Sequence, residues 1–136
     1  MSLLEPKKTK YRKMQKGRSR KVASRGNKIA FGSFGLKSLD SKWVSSAQLE
    51  AGRRAISRII KGKGEIWTRI FPDKPITTKG VEFPMGGGKG DVDHYVFPVE
   101  QGRIIFEVDG IPEETAREAL KRASAKLAVK TKFVKR

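Results

Sequence analysis

The chain of 136 residues contains no cysteine and only one histidine, His94. Disulfides, thiolate zinc sites and a thiol nucleophile are therefore excluded, and the composition suits a reducing compartment. Hydrophobic residues make up 37% and aromatic ones 8%, which allows one domain with a modest core. Apolar runs extend only a few residues, far short of the roughly 20 needed to span a bilayer. The opening Met1-Ser2-Leu3-Leu4-Glu5-Pro6 lacks the apolar stretch of a secretory signal. A mitochondrial presequence would be amphipathic, whereas Pro6 followed by a dense Lys/Arg series reads as extended. The expected location is the cytoplasm, or the stroma or matrix of an organelle that makes the protein itself.

Acid is missing from both ends. Residues 1–28 hold 11 Lys/Arg against Glu5 alone, and residues 121–136 hold 7 Lys/Arg and no acid. The 92 residues between them balance at 13 basic and 13 acidic, so the two ends carry the entire formal charge of +17. A hydrophobic core does not require this asymmetry. A polyanion does, because each neutralised phosphate releases condensed counterions. The pattern reads as a nearly neutral globule with two cationic ends and nucleic acid as the partner. Residues 1–28 form a basic arm, and residues 29–136 a single domain.

Residues 7–28 show neither helical nor strand period and few hydrophobes, namely Tyr11, Met14, Val22 and Ala23. Alone they would be disordered. A solvated tail is one reading. Interleaved Tyr11, Gly17 and Gly26 suit instead a segment that orders on RNA. Two Phe-Gly steps follow in Phe31-Gly32-Ser33-Phe34-Gly35-Leu36, where each ring can stack or fill a core and glycine permits close backbone approach. Core filling is expected of at least one ring.

Ser45-Ser46-Ala47-Gln48 has the capping-box pattern and predicts a helix to about Lys61, stopped at Gly62. Leu49, Gly52, Ile56, Ile59 and Ile60 share its apolar face, while Arg54, Arg58 and Lys61 fall together elsewhere with Arg53 beside them. Such a stripe can be a solvated face. Only Glu50 can offset it along the helix, so the repulsion is expected to be largely uncompensated and to favour an anionic partner. From Glu65 to Phe71 the chain alternates as a strand, Ile66, Thr68 and Ile70 on one side and Trp67, Arg69 and Phe71 on the other. Pro72-Asp73-Lys74-Pro75 should end it. Further strands are expected at 81–85 (an edge, given Pro84), 94–99, 103–108 and 131–134. A second helix opens at Pro112 with Glu113 and Glu114 in its first turn and a stripe of Ala116, Ala119, Leu120, Ala123 and Leu127. The fold class is α+β, two helices on one face of a small mixed or antiparallel sheet.

No catalytic constellation stands out. In Gly86-Gly87-Gly88-Lys89-Gly90 a Walker loop would need Gly at Phe83 and Ser or Thr at Gly90, so the match fails at both ends. His94 with Asp91 and Asp93 reads as an ordinary strand entry rather than a metal or acid–base site. No enzyme activity, cofactor or metal is expected.

The chain resembles the bacterial ribosomal protein L-sixteen family of the large subunit over essentially its whole length. The matching blocks include Pro6-Lys7-Lys8-Thr9-Lys10-Tyr11-Arg12-Lys13-Met14, Lys16-Gly17-Arg18, Phe31-Gly32-Ser33-Phe34-Gly35-Leu36-Lys37 and Gln48-Leu49-Glu50-Ala51 with Arg53-Arg54-Ala55. They continue through Trp67 with Arg69, Phe71-Pro72-Asp73-Lys74-Pro75-Ile76-Thr77, Met85-Gly86 with Gly88-Lys89-Gly90, and Asp109-Gly110 with Pro112-Glu113-Glu114. Ala116-Arg117-Glu118-Ala119 and Lys130-Thr131 with Phe133-Val134 complete the series. The resemblance implies an α/β-hammerhead-type fold that binds 23S rRNA near the aminoacyl-tRNA site and supports the peptidyl-transferase region, whose chemistry belongs to RNA. It implies neighbouring large-subunit proteins and A-site tRNA as partners, with P-site tRNA a further candidate, and no membrane. With the charge pattern, it makes Lys7, Lys8, Lys10, Arg12, Lys13, Lys16, Arg18, Arg20, Lys21, Lys130 and Lys132 candidates for rRNA binding. Arg53, Arg54, Arg58, Met85, Gly86, Gly87, Gly88, Lys89 and Gly90 are the candidates facing tRNA.

The chain also departs from the family pattern. Relatives commonly carry Arg where Pro84 stands, an arginine that some bacteria hydroxylate, so that modification is not expected here. Many have Lys in place of Gly87 and a basic turn in place of Asp40-Ser41-Lys42-Trp43, so weaker or rearranged RNA contacts are expected there. Two alternatives differ in class. A general nucleic-acid compactor would need no neutral centre, and a membrane-active protein would show a helix with a broad apolar face.

Overall fold

A computed structural model describes residues 4–17, 21–80 and 85–136. Seven strands and two helices follow one another as β1 (Phe34–Ser38), β2 (Lys42–Ser45), α1 (Ser46–Ile60), β3 (Glu65–Thr68), β4 (Lys74–Thr78), β5 (Asp91–Val99), β6 (Ile104–Asp109), α2 (Glu113–Ser124) and β7 (Thr131–Lys135). The expected α+β class is correct, but the strands divide into two sheets. One has the order β3-β6-β1-β7 and the other β2-β5-β4, with every strand pair antiparallel. Among the described residues an isolated bridge from Val22 to Gln101 is parallel.

Local chemistry explains the helices. Ser45 accepts from the Gln48 N–H at 3.2 Å, and Gln48 Oε1 accepts from the Ser45 N–H at 3.1 Å, closing the capping box. α1 ends with Lys61 in the left-handed region at φ 52°, one residue before the anticipated glycine. α2 starts at Pro112, with Glu113 and Glu114 favoured by the positive end of the helix dipole. Ile59 and Leu127 are only half-buried, while the other expected core positions of both helices are buried.

The helices pack on each other and on one face of the four-stranded sheet. Leu36, Phe106 and Val108 meet Leu49, Ile56, Ala119, Leu120 and Ala123 in that core. Gly52 lets the helix come close, since a Cβ there would sit 3.0 Å from the Phe106 ring. Because strand residues alternate between faces, Gly35, Glu107 and Trp67, adjacent in register across β1, β6 and β3, line the opposite face.

That face is covered by the chain preceding β1, not by a helix. Ala23 is buried and its N–H bonds to the Gln101 carbonyl at 2.8 Å. The Ile104 N–H donates to the Gly26 carbonyl at 2.8 Å, and Ile29 lies where a Cβ on Gly35 would be 3.2 Å from its side chain. Farther up the chain, Leu4 packs against the core. The basic arm thus lies on the sheet through backbone hydrogen bonds and a few apolar contacts.

Three strands were not anticipated, β1, β2 and β4. The expected strand from Glu65 shortens to Glu65–Thr68, although the Arg69 N–H still bonds to Ile105 at 2.8 Å. Lys74 and Pro75, expected in the turn that ends that strand, open β4. Of the strand expected at 81–85, residues 81–84 lie outside the described residues.

Candidate nucleic-acid interface

The described arm residues Lys7, Lys8, Lys10, Arg12, Lys16 and Lys21 are exposed, and Lys13 is half-buried. Arg18 and Arg20 lie outside the described residues. Lys130 and Lys132 are exposed on and beside β7. Near its middle the arm meets the glycine loop. Lys89 Nζ donates to the Met14 carbonyl, and Lys13 Nζ donates to the Lys89 carbonyl at 3.0 Å. Lys74 Nζ donates to the Lys16 carbonyl and lies 5.2 Å from the centre of the Trp43 ring. Together Met14, Lys16, Trp43, Lys74 and Lys89 line a cleft of about 260 Å³. The structure therefore joins the arm to the loop, two groups that the sequence left separate.

Within the loop, Gly86, Gly87 and Gly88 have φ of 120°, 77° and 110°, a region L side chains rarely adopt. A Cβ on any of them would meet nothing within 4 Å, so the glycines are required by backbone shape and not by packing. Met85 is fully exposed, Gly86, Gly87, Gly88 and Lys89 are exposed, Gly90 is half-buried, and Lys79 Nζ donates to the Gly86 carbonyl.

One carboxylate pairs with two of the four cations of the α1 stripe, and Arg58 and Lys61 have no ion pair among the described residues. That carboxylate, buried Glu50, binds both neighbours, with Arg53 Nη2 at 2.6 Å and Arg54 Nε at 3.2 Å. The hydrogen bond from Arg53 holds the Glu50 carboxyl below the ordinary carboxylate range, outweighing its burial, and Arg54 adds to the effect. Two carboxylate oxygens at i+3 and i+4 spacing are enough to serve two guanidinium groups. Arg58 stands apart, exposed beside a cleft of about 260 Å³ between the helices with Ala55, Ile59, Arg122 and Lys126.

A second cluster was only half legible. Glu107 is fully buried on the arm-covered face. Its Oε1 accepts from the N–H groups of Ala30 at 3.1 Å, Phe31 at 2.8 Å and Gly32 at 2.8 Å, and Oε2 pairs with Arg69. Burial pushes the carboxyl up, but the Gly32 N–H, Arg69 and the Phe31 and Ala30 N–H groups outweigh it and hold the group below its usual range. Three successive backbone donors thus curl around an internal anion. Gly32 is needed for this approach, since a Cβ there would lie 2.5 Å from the Val108 carbonyl oxygen. The result is an exposed Phe31, stacked on Trp67 with ring centres 6.0 Å apart and with the Arg69 guanidinium 5.2 Å from its own ring centre. Placing Trp67 and Arg69 on one side of an alternating strand was correct, while their partner Glu107 gave no local signal. Of the two Phe rings, Phe34 fills space against Phe133 and Phe31 faces outward.

His94 and Asp93 form a pair at 2.7 Å on the exposed start of β5. No group of residues able to hold a metal occurs among the described residues. Among them, too, no helix is long and apolar enough to cross a membrane.

Comparison with known proteins finds relatives over nearly the full length. The chain is 54% identical over 134 residues to a large ribosomal subunit protein uL16 of Alkalilimnicola ehrlichii, covering 98% of each chain. A protein of the same name from Porphyromonas gingivalis is 56% identical over 134 residues, covering 98% of this chain and 93% of its own. Another from Halorhodospira halophila is 54% identical over 134 residues, 98% of each. The family model described as ribosomal protein L16p/L10e matches residues 6–134, and the chain belongs to that family.

Proposed function

We propose that this protein is a structural constituent of the large ribosomal subunit, as its relatives' names state of them, and that it does no catalysis of its own. It binds 23S rRNA near the aminoacyl-tRNA site through the arm and the basic C-terminal end. Arg58 and the 85–90 loop face A-site tRNA, and neighbouring ribosomal proteins complete its surroundings in the cytoplasmic ribosome. The observation that carries this reading is the docking of the arm backbone by Lys74 and Lys89 while Lys7, Lys8, Lys10 and Arg12 stay exposed. Body contacts fix the arm's course, and its cations are left to phosphates.

Changing those four residues to Gln tests the reading. The log affinity for 23S rRNA should then fall less steeply with log salt, by about three units at roughly 0.7–0.9 per phosphate neutralised. Thermal stability should not change, because none of the four is buried. Tagged wild-type protein should sediment with large subunits in high salt and prefer ribosomal RNA to duplex DNA. An unchanged slope, or equal binding to duplex DNA, would favour a general nucleic-acid compactor.

A further inference from the structure

The arm-covered face of the four-stranded sheet holds a feature unlike the arm and the glycine loop. Phe31 is 56% exposed although Trp67 stacks on it and the Arg69 guanidinium lies 5.2 Å from its ring centre, the two coming from neighbours two apart on the same side of an extended segment. More than half of its surface is open to solvent. The backbone that carries the ring is pinned, because the N–H groups of residues 30, 31 and 32 are all held by Glu107 and Gly32 is wedged against β6. This is an exposed aromatic shelf on a backbone that is already in place.

Cations flank the shelf. Arg69 also donates to the Lys28 carbonyl at 3.4 Å, which sets the end of the basic arm beside the ring. On the other side the Arg136 N–H donates to the Ser33 carbonyl at 2.9 Å, which brings in the end of the basic C-terminus. Lys28, Lys37, Lys135 and Arg136 line a groove of about 400 Å³ with Ile29 at its floor. Lys135 has Glu113 at 3.6 Å as a partner and exposed Arg136 lies near enough to the Asp109 carboxylate to favour its charge, while Lys28 is exposed with no ion pair among the described residues. The two basic ends of the chain therefore converge at one groove next to one exposed aromatic ring.

We propose that this shelf and groove form a binding site for unpaired RNA, in which a nucleobase stacks on the exposed ring of Phe31 and phosphates of neighbouring nucleotides lie between Lys28 and Arg136. A base offers the π-face that the ring requires, and the adjoining phosphates supply the anions that the groove requires. An apolar protein segment would satisfy the ring and leave the cations facing nothing. The inference rests on the RNA-binding reading above and assigns to it a site in which the ends of both charge runs meet an aromatic ring that belongs to neither.

The test uses the full chain and two probes, an eight-nucleotide adenine RNA and an abasic ribose-phosphate of the same length. Wild type should bind the adenine RNA about tenfold more tightly than the abasic strand, the scale of one good base–aromatic stack. Phe31→Ala and Phe31→Leu should abolish that preference and leave abasic binding unchanged, while Phe31→Trp should keep it. The Leu variant retains the apolar contact with Trp67, so a lost preference there cannot be blamed on misfolding. Replacing Lys28 and Arg136 together by Gln should weaken both probes alike and flatten the salt slope. Equal binding of the two probes by wild type, or a preserved preference in Phe31→Leu, overturns the shelf while leaving RNA binding intact. Failure to bind either probe overturns the RNA-binding reading as well.

Discussion

Replacing Glu107 probes the organisation of the whole arm-covered face. In Glu107→Ala the Arg69 guanidinium loses its carboxylate, and the N–H groups of Ala30, Phe31 and Gly32 lose their acceptor. Breaking a buried ion pair by removing one partner costs about 3–5 kcal/mol. The lower half of that range applies, because Arg69 keeps 17% of its side-chain surface in solvent and can turn outward. Glu107→Gln is milder. Its carbonyl oxygen can replace Oε1 and keep the three N–H bonds, but its NH₂ then faces Arg69 donor to donor, at a cost of about 2 kcal/mol. Against a total stability of about 5–15 kcal/mol, the Ala variant should melt roughly 10–15 °C below wild type.

The dependence on pH has a definite sign. The folded-state pKa of Glu107 lies below its ordinary value of 4.5, so its contribution is fully present above that value and is lost as pH falls through the folded-state pKa. The gap between wild type and Glu107→Gln should therefore stay constant at neutral pH and narrow below about pH 4.5. Urea unfolding followed by tryptophan fluorescence from pH 3 to 7.5 measures it. A cost under about 1 kcal/mol for the Ala variant, or a gap that ignores pH, would show that Glu107 does not organise this face.

Two further outcomes are expected. Arg58→Glu should leave far-UV helicity intact, since Arg and Glu have similar helix propensity, yet weaken tRNA binding at the aminoacyl site of reconstituted subunits several-fold. Normal tRNA occupancy would make the α1 stripe a solvated face. Gly86→Val with Gly88→Val should impair translation by reconstituted ribosomes more than Lys89→Ala, because each valine forces a backbone region costing about 1–3 kcal/mol. The opposite ranking would mean that Lys89, through its charge or its hold on the Met14 carbonyl, matters more than the loop's shape.

The features legible in the chain were those whose partners lie within a few residues. The Ser45–Gln48 box, the stop beside Gly62, the acidic start of α2 and the alternation of Trp67 and Arg69 all act over at most one turn or one strand. The pairing of Glu50 with Arg53 and Arg54 was local too. Glu50 was the one acid within reach of the stripe, and it leaves Arg58 and Lys61 without an ion pair among the described residues. β1, β2 and β4 were missed because their partners are distant. Phe34–Ser38 contains a glycine and a lysine, and Lys74–Thr78 contains a proline, so neither presents a clean period, and each becomes a strand by pairing with residues far along the chain.

Composition and order alone determined that the molecule is a small α+β protein with a neutral centre and cationic ends, because net charge and short-range periodicity do not depend on long-range contacts. Tertiary structure decided where those charges stand. Phe31 and Glu107, and Ser33 and Arg136, are each separated by more than 70 residues, yet they meet because the antiparallel order β3-β6-β1-β7 brings the arm and the C-terminal strand to one sheet, while Lys13 meets Lys89 beside the β2-β5-β4 sheet. A buried carboxylate has no periodicity of its own. Glu107 looks like any strand glutamate until folding removes its water, and only then must three backbone N–H groups and an arginine take the water's place.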